Sequence, residues 1–114
     1  MTTDTDLNQQ SCDVCAGGGV VMTRAEAEEK MPQLHGDWVL DDNTSSLTRE
    51  MKFKGFAKAV YHANIAAFLG DKEGHHPDVQ FGWGYCRVIF TSHELGGLSP
   101  NDFICAAKFD ALVG

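Results

Sequence analysis

The chain is short of basic side chains and of long apolar runs. It has nine Lys and Arg against 16 Asp and Glu, so its formal net charge is −7 at pH 7. This deficit disfavours nonspecific nucleic-acid binding, which needs clustered cations to neutralise phosphates, and binding to an anionic membrane surface. No apolar run approaches the roughly 18 to 20 residues that a membrane span needs. The polar residues 1–10 lack a secretory signal pattern, so we expect a cytoplasmic protein.

Cysteine is also scarce, with four residues in 114. Cys12 and Cys15 form a C-x-x-C pair, but no second pair and no Cys/His set at zinc-finger spacing follows. We interpret the pair as loop-borne, and the alternative is a zinc site completed by a remote residue or another subunit. Cys86 and Cys105 lie in apolar surroundings, where we expect small buried side chains.

A chain of 114 residues has room for one domain with a single core. We predict a flexible N-terminal extension that carries the C-x-x-C over residues 1–22, and the domain over residues 23–114. Apolar periodicity and turn residues predict the order helix, two strands, helix, two strands, helix. The expected fold class is therefore α+β, with a four-stranded antiparallel sheet and helices packed on one face (α-β-β-α-β-β-α).

The middle helix and the second turn carry the most specific boundary predictions. The helix is predicted over residues 55–69, and Gly70 is expected to end it in the left-handed conformation that glycine tolerates. Gly84 and Tyr85 are predicted to form the two-residue turn of the second strand pair. The apolar face of the middle helix is predicted to comprise Phe56, Val60, Ala63, Ala67 and Phe68.

Capping residues mark the starts of the first and last helices. Thr23 and Glu26 form a capping box. Ser99 is the predicted N-cap of the last helix, with Pro100 at its first position and Asp102 in its first turn. As a first-turn acid, Asp102 complements the helix dipole, and the same side chain is also placed to orient a histidine.

Three of the five histidines lie between positions 75 and 93. His75 and His76 immediately precede a proline, which biases His76 toward an extended conformation, so the two side chains are expected on opposite sides. His93 follows the strand that pairs back toward this segment, which predicts all three histidines at one end of the sheet. Histidine transfers protons near neutrality, and Asp102 or Asp71 is the carboxylate expected within reach.

Three other interpretations of these residues compete with proton transfer. A surface turn explains His75 and His76 without a function, because histidine is often exposed. A zinc site made by His75, His93 and a carboxylate has the ligand number that zinc accepts. Nucleophilic catalysis has the least support, because no serine lies in an elbow-like glycine context. Proton transfer by histidines is the interpretation that we prefer.

The spacing of these residues resembles the signature of the pterin-4a-carbinolamine dehydratases. That signature is an acidic or similar residue, three residues, His-[His/Asn]-Pro, five residues, an aromatic, nine residues, His or Trp, and then Asp after a further eight to fifteen. The similarity extends from about Trp38 to Asp110. The matching residues are, in order, Asp71, His75, His76, Pro77, Trp83, His93 and Asp102.

The resemblance implies the same α+β fold in a homodimer or homotetramer, and the activity of a hydro-lyase. The implied reaction removes water from 4a-hydroxytetrahydrobiopterin, the carbinolamine that forms when aromatic amino acid hydroxylases consume tetrahydrobiopterin. The product is quinonoid dihydropterin, so the reaction recycles the cofactor of phenylalanine hydroxylation. The implied chemistry requires no metal and no cofactor, and the only implied small-molecule partner is the pterin.

The resemblance also implies roles for individual residues. His75 and His93 are the implied proton donors on different sides of the pterin, and His76 binds and orients the ring. Asp102 supports a histidine. The residues expected to contact the substrate or line its pocket are Asp71, Thr91, Ser92 and Glu94.

Two other functions are compatible with the resemblance. The first is a dehydratase that acts on another pterin, for example in molybdopterin metabolism. The second is a dimerisation cofactor of a homeodomain transcription factor, a role known for some animal members. That role depends on a helical surface, and the sequence identifies none.

Overall fold

A computed structural model describes Leu7, residues 21–92 and residues 94–114. It confirms the predicted element order and the α+β fold class. None of the described helices is long and apolar enough to cross a membrane. The elements are α1 (Arg24–Lys30), a short 3-10 helix (Met31–Gln33), β1 (Trp38–Leu40), β2 (Leu47–Lys52), α2 (Ala57–Glu73), β3 (Asp78–Gly82), β4 (Tyr85–Phe90) and α3 (Pro100–Val113).

The four strands form one antiparallel sheet in the order β1-β2-β4-β3. Strand β4 is central and pairs with both β2 and β3. Asp78 at the start of β3 lies opposite Ile89 near the end of β4. The segment before β3 and the segment after β4 therefore meet at the same end of the sheet, as the sequence predicted.

The core lies between one face of the sheet and the helices. Alternate side chains of β4 point into it: Cys86, Val88 and Phe90 are fully buried, and the residues between them are partly exposed. This alternation follows from the period of two in a strand that has one covered face. The first half of α3 is buried almost all round, because it packs between the sheet and α2.

The start of the domain agrees with the predicted capping box. The Thr23 amide donates to Glu26 Oε1 at 2.8 Å, and the Glu26 amide donates to Thr23 Oγ1 at 3.1 Å. Leu7, which falls within the predicted extension, is buried in the core. The predicted C-x-x-C pair, Cys12 and Cys15, lies outside the described residues.

Two predictions about α2 are wrong. The helix does not end at Gly70 but continues to Glu73, and Gly74 is the left-handed cap at φ 68°. Phe56 and Phe68, predicted on the buried face, are 51% and 67% exposed. Small residues let the helix approach its neighbours closely, so they take the inner face in place of the large ones. The buried residues of α2 are Ala59, Ala63, Ala66, Leu69 and Gly70.

The predicted turn between β3 and β4 is wrong by one residue. Gly82 pairs with Tyr85, so Trp83 and Gly84 form the turn. Gly84 takes φ +85°, and a glycine at the second turn position supplies this conformation without a Cβ clash. Tyr85 is instead the first residue of β4, and Trp83 is exposed at the tip of the hairpin.

A buried ion pair holds the C-terminal half of α3 to the sheet. Arg49 of β2, only 8% exposed, donates from Nη1 to Asp110 Oδ1 at 2.6 Å. The same carboxylate accepts from Trp38 Nε1 and from the His35 amide, each at 2.8 Å. Each Asp110 oxygen therefore has a donor, and the Arg49 charge is compensated inside the fold.

We predict that Asp110→Ala destabilises the domain by about 3 kcal/mol or more, because it leaves the Arg49 guanidinium buried without a counter-ion. Urea unfolding measures the change. Glu28→Ala is the matched control: it removes the exposed Arg24–Glu28 pair, which should contribute less than about 1 kcal/mol. Similar unfolding midpoints for the two variants would contradict the structural role of the buried pair.

Candidate functional site

The predicted histidine segment connects α2 to β3 and turns sharply at its start. Gly74 in the left-handed conformation ends the helix, and the His75 amide donates back to the Gly70 carbonyl at 3.0 Å. This turn directs the chain from the end of α2 across to the start of β3. His75 therefore lies against the end of β4.

Gly70 is the residue that lets this segment approach α2. A Cβ atom at this position would lie 2.4 Å from Pro77 Cδ and 3.2 Å from the His75 carbonyl oxygen. Real side chains do not tolerate a contact of 2.4 Å. Gly70, which was predicted to end the helix, is instead an internal helix residue that allows close packing of α2 against the segment of His75 and Pro77.

His75 is paired with Asp102 at the start of α3. The His75 Nε2 to Asp102 Oδ1 distance is 2.5 Å, and the side chains are 12% and 0% exposed. The imidazole also stacks on Phe90, with ring centroids 6.2 Å apart and 10° between the ring planes. The last residue of β4 and the first turn of α3 thus determine the orientation of the ring from two sides.

The second oxygen of Asp102 is bound by two further donors. Ser92 Oγ donates to Asp102 Oδ2 at 2.8 Å, and the Ser99 amide donates to the same oxygen at 2.9 Å. The two serine hydroxyls lie 2.7 Å apart. The carboxylate is thus bound by three groups from separate segments of the chain, which together fix its position beside His75.

The remaining predicted site residues are His76, Asp71, Glu94, Thr91 and His93. The first three are exposed. Thr91 Oγ1 donates to the Ser45 carbonyl at 2.5 Å. His93 lies outside the described residues, so its predicted role as the second proton donor stays a prediction.

The loop that Thr91 contacts is organised by Asp41. The Asp41 carboxylate accepts from the amide and the hydroxyl of Ser45 and from the Ser46 amide. Partial burial would raise the pKa of Asp41, but these hydrogen bonds outweigh it and lower the pKa below its usual value. The loop therefore keeps its anchor at neutral pH and weakens only as the carboxylate is protonated in acid.

Two contributors to the site were not predicted as such. Ser99 was expected only as an N-cap, and Phe90 only as a strand residue. The three-residue capping spacing between Ser99 and Asp102 was a signal for the role of Ser99. The Ser99 amide binds the same carboxylate that binds His75. No local pattern identifies the stacking of Phe90, which depends on the packing of β4 against the histidine segment.

The described residues provide no alternative metal or thiol centre. Within residues 21–92 and 94–114, no three His, Cys, Asp or Glu side chains are grouped as metal ligands. The zinc alternative includes His93, and therefore stays open. Cys86 and Cys105 are buried as predicted, and burial raises the pKa of the Cys86 thiol. Cys86 is therefore protonated at neutral pH and is not a nucleophile.

The chain is similar to known proteins over nearly its whole length. The family model described as pterin 4 alpha carbinolamine dehydratase matches residues 20–112. A protein of Nitrosomonas eutropha, provisionally named for this activity, is 42% identical over 113 residues, which are 99% of this chain and 98% of that protein. A protein of Legionella pneumophila (strain Corby) with the same name is 38% identical over 108 residues, covering 95% and 96%.

Solved structures share the fold. The crystal structure of a transcriptional coactivator/pterin dehydratase from Brucella melitensis matches with a TM-score of 0.75 and 28% identity, over 83% of this chain and 100% of that chain. A pterin dehydratase-like protein identified as a RuBisCO assembly factor in the alpha-carboxysome matches with a TM-score of 0.57 and 26% identity, over 70% and 93%.

We predict that Gly70→Ala destabilises the domain by about 1 to 3 kcal/mol through overpacking against Pro77. Helix propensity alone predicts the opposite sign, a gain of about 1 kcal/mol. Urea unfolding and the NMR shifts of the His75 ring measure the effect. Gly36→Ala is the control, because its added Cβ meets no atom within 4 Å. A Gly70→Ala protein as stable as the wild type, with an unmoved His75 ring, would contradict the packing argument.

Proposed function

The chain belongs to the pterin-4-alpha-carbinolamine dehydratase family, and from this premise we propose that it removes water from 4a-hydroxytetrahydrobiopterin. The product is quinonoid dihydropterin, and the reaction returns the cofactor of an aromatic amino acid hydroxylase for recycling. The observation that carries the proposal is the buried hydrogen bond from His75 to Asp102. It supplies a histidine whose orientation and partner suit proton transfer, at the position that the family signature assigns.

The reaction needs proton transfers and no net oxidation. The carbon–oxygen bond at C4a breaks, the leaving oxygen takes a proton and departs as water, and a ring nitrogen of the pterin gives up a proton to a base. A positioned acid and a positioned base lower the barrier to both transfers. Histidine is suited to each role near neutral pH, and the proposed chemistry requires no metal or redox cofactor.

We assign the roles by position in the signature and by contact. His75 transfers a proton at one side of the pterin, and Asp102 holds the His75 imidazole in place. His93 transfers a proton at the other side. His76, whose side chain is exposed, binds and orients the pterin. Asp71, Thr91 and Glu94 are proposed to contact the substrate at the edge of its pocket. Ser92 acts indirectly, through its hydrogen bond to Asp102.

Association with protein is the second candidate function, favoured by an apolar surface on the helices. Tyr61 and Phe68, two turns apart on α2, and Leu112 on α3 are each more than half exposed. We propose that this surface joins two copies of the chain into a homodimer or part of a homotetramer. Two structural relatives are described as a transcriptional coactivator and a RuBisCO assembly factor, which supports protein binding in this fold.

A coupled assay tests the dehydratase proposal. A hydroxylase generates the carbinolamine, and the formation of quinonoid dihydropterin is followed with and without this protein. We expect acceleration that persists in the presence of a chelator. Replacing His75 and His93 together by alanine should lower the rate at least about a hundredfold, which is the lower range for general acid–base catalysis.

His62→Ala is the control for this assay. His62 lies on α2, where its ring packs at a tilt against Phe53 and is hydrogen-bonded to the Lys58 carbonyl, so it is a histidine outside the proposed machinery. Its variant should keep the wild-type rate. No acceleration by the wild-type protein would overturn the proposed activity, and activity that is lost on adding a chelator would point to the metal alternative.

Light scattering coupled to size-exclusion chromatography tests the association. Phe68→Lys should shift the protein toward monomer, because it places a charge within the apolar surface of α2. Val39→Lys changes an equally exposed residue of β1 and should leave the mass unchanged. An oligomer that withstands Phe68→Lys, or a wild-type monomer, would contradict this surface as the interface.

A further inference from the structure

Two buried serine hydroxyls are linked by hydrogen bonds to the Asp102 carboxylate that binds His75. Ser92 and Ser99 are 7% and 2% exposed. Ser92 follows β4 and Ser99 precedes α3, and an isolated bridge between Ser92 and Gly97 holds the connection between them closed. Neither hydroxyl contacts His75 directly, so any effect of these serines on the histidine passes through Asp102.

The directions of these hydrogen bonds follow from counting protons. Ser92 has one hydroxyl proton, and it is donated to Asp102 Oδ2. In the contact between the two hydroxyls, Ser99 is therefore the donor and Ser92 the acceptor. The chain of bonds runs in one direction, from Ser99 to Ser92 to Asp102. Hydrogen bonds aligned in this way strengthen one another in a low-dielectric interior.

The carboxylate in turn selects the tautomer of the histidine. With its Oδ2 atom occupied by Ser92 and the Ser99 amide, Asp102 presents Oδ1 as the acceptor for His75 Nε2. A neutral imidazole carries one proton, and this acceptor favours its location on Nε2. Asp102 contacts Nε2 and leaves Nδ1 as the second ring nitrogen. Nδ1 is then the basic nitrogen of the neutral ring.

We propose that Ser92 and Ser99 are positioning residues that hold His75 in the Nε2-protonated tautomer, so that Nδ1 is the atom that exchanges a proton with the substrate. The assignment of Nδ1 to the substrate rests on the proposed dehydratase function. The tautomer itself does not, because it follows from the contacts of Asp102. The two statements therefore have separate tests.

The competing role for these serines is structural. Ser99 is the N-cap of α3, and a buried serine pair also satisfies its own polar groups. Ser99→Ala separates these roles, because the backbone amide that binds Asp102 is retained while the hydroxyl is lost. Ser92→Ala removes the direct hydroxyl bond to the carboxylate. A structural role changes stability alone, whereas a positioning role also changes the histidine tautomer.

The direct experiment is NMR of the full chain labelled with 15N-histidine, at a pH where the imidazoles are neutral, with the His75 signals assigned from a His75→Gln variant. We expect the Nε2-protonated form in the wild type. Ser92→Ala should shift the tautomer ratio of His75 toward Nδ1–H by about tenfold, because the carboxylate loses a bond that fixes its orientation toward Nε2. Ser99→Ala should shift the tautomer ratio in the same direction by about threefold. Ser92→Thr keeps a hydroxyl at this position and should keep the wild-type ratio.

Ser45→Ala is the matched control. It removes a hydroxyl bond of the same kind, from Ser45 to the Asp41 carboxylate, and should leave the His75 tautomer unchanged. If Ser92→Ala does not fold, the tautomer ratios of Ser99→Ala and Ser92→Thr still test whether the serines set the tautomer of His75. A tautomer ratio that is the same in all serine variants, or a wild-type ring protonated on Nδ1, would overturn the proposal.

Kinetics of the proposed reaction test the role of Nδ1. Ser92→Ala should lower kcat about tenfold to a hundredfold with little change in KM, because it weakens an orientation used in the chemical step. In a His75→Gln background the same change should have no further effect on kcat. An equal loss in both backgrounds would overturn the action through His75. A protein with the expected tautomer shifts but no dehydratase activity supports the positioning role and overturns the proposed function alone.

Discussion

The burial of the Asp102 carboxylate is the constraint on which the rest of this site depends. An ionised carboxylate taken out of water costs several kcal/mol unless donors replace its hydration. Here those donors come from three separate segments: His75 before β3, Ser92 after β4, and the Ser99 amide at the start of α3. Satisfying one carboxylate therefore fixes the relative positions of three connections at one end of the sheet.

The helix that carries Asp102 is held at its other end by a second buried carboxylate. Asp110 binds Arg49 of β2 and the indole of Trp38 in β1. The large apolar residues between the two acids, Phe103 and Phe109, are fully buried. Because α3 is anchored to the sheet at both ends, the start of the helix is a rigid platform for the histidine, and rigid elements position catalytic groups more accurately than loops do.

The same fold occurs in proteins described as an enzyme, a transcriptional coactivator and an assembly factor. Fold alone therefore does not assign an activity. The two candidate functions of this chain use different parts of its surface. The histidine site lies where β3 begins and β4 ends, and the apolar surface of Tyr61, Phe68 and Leu112 lies on the helices. The two proposed functions are therefore expected to respond to different substitutions.

The sequence by itself determined the features that depend on local interactions. The element order follows from apolar periodicity, and the starts of α1 and α3 follow from bonds between residues three positions apart. The signature contained both His75 and Asp102 but left open which histidine Asp102 supports, and the structure pairs it with His75. Each of these signals is contained within a short stretch of chain or in a pattern shared by related sequences.

Only the tertiary structure decided which neighbours those residues have. The role of Gly70 depends on the approach of Pro77, and the inner face of α2 is set by how closely the sheet and α3 pack against it. The orientation of His75 depends on Phe90 and on a carboxylate 27 residues away in the chain. These contacts join segments that are distant in sequence, and local propensity does not encode the packing that brings them within bonding distance.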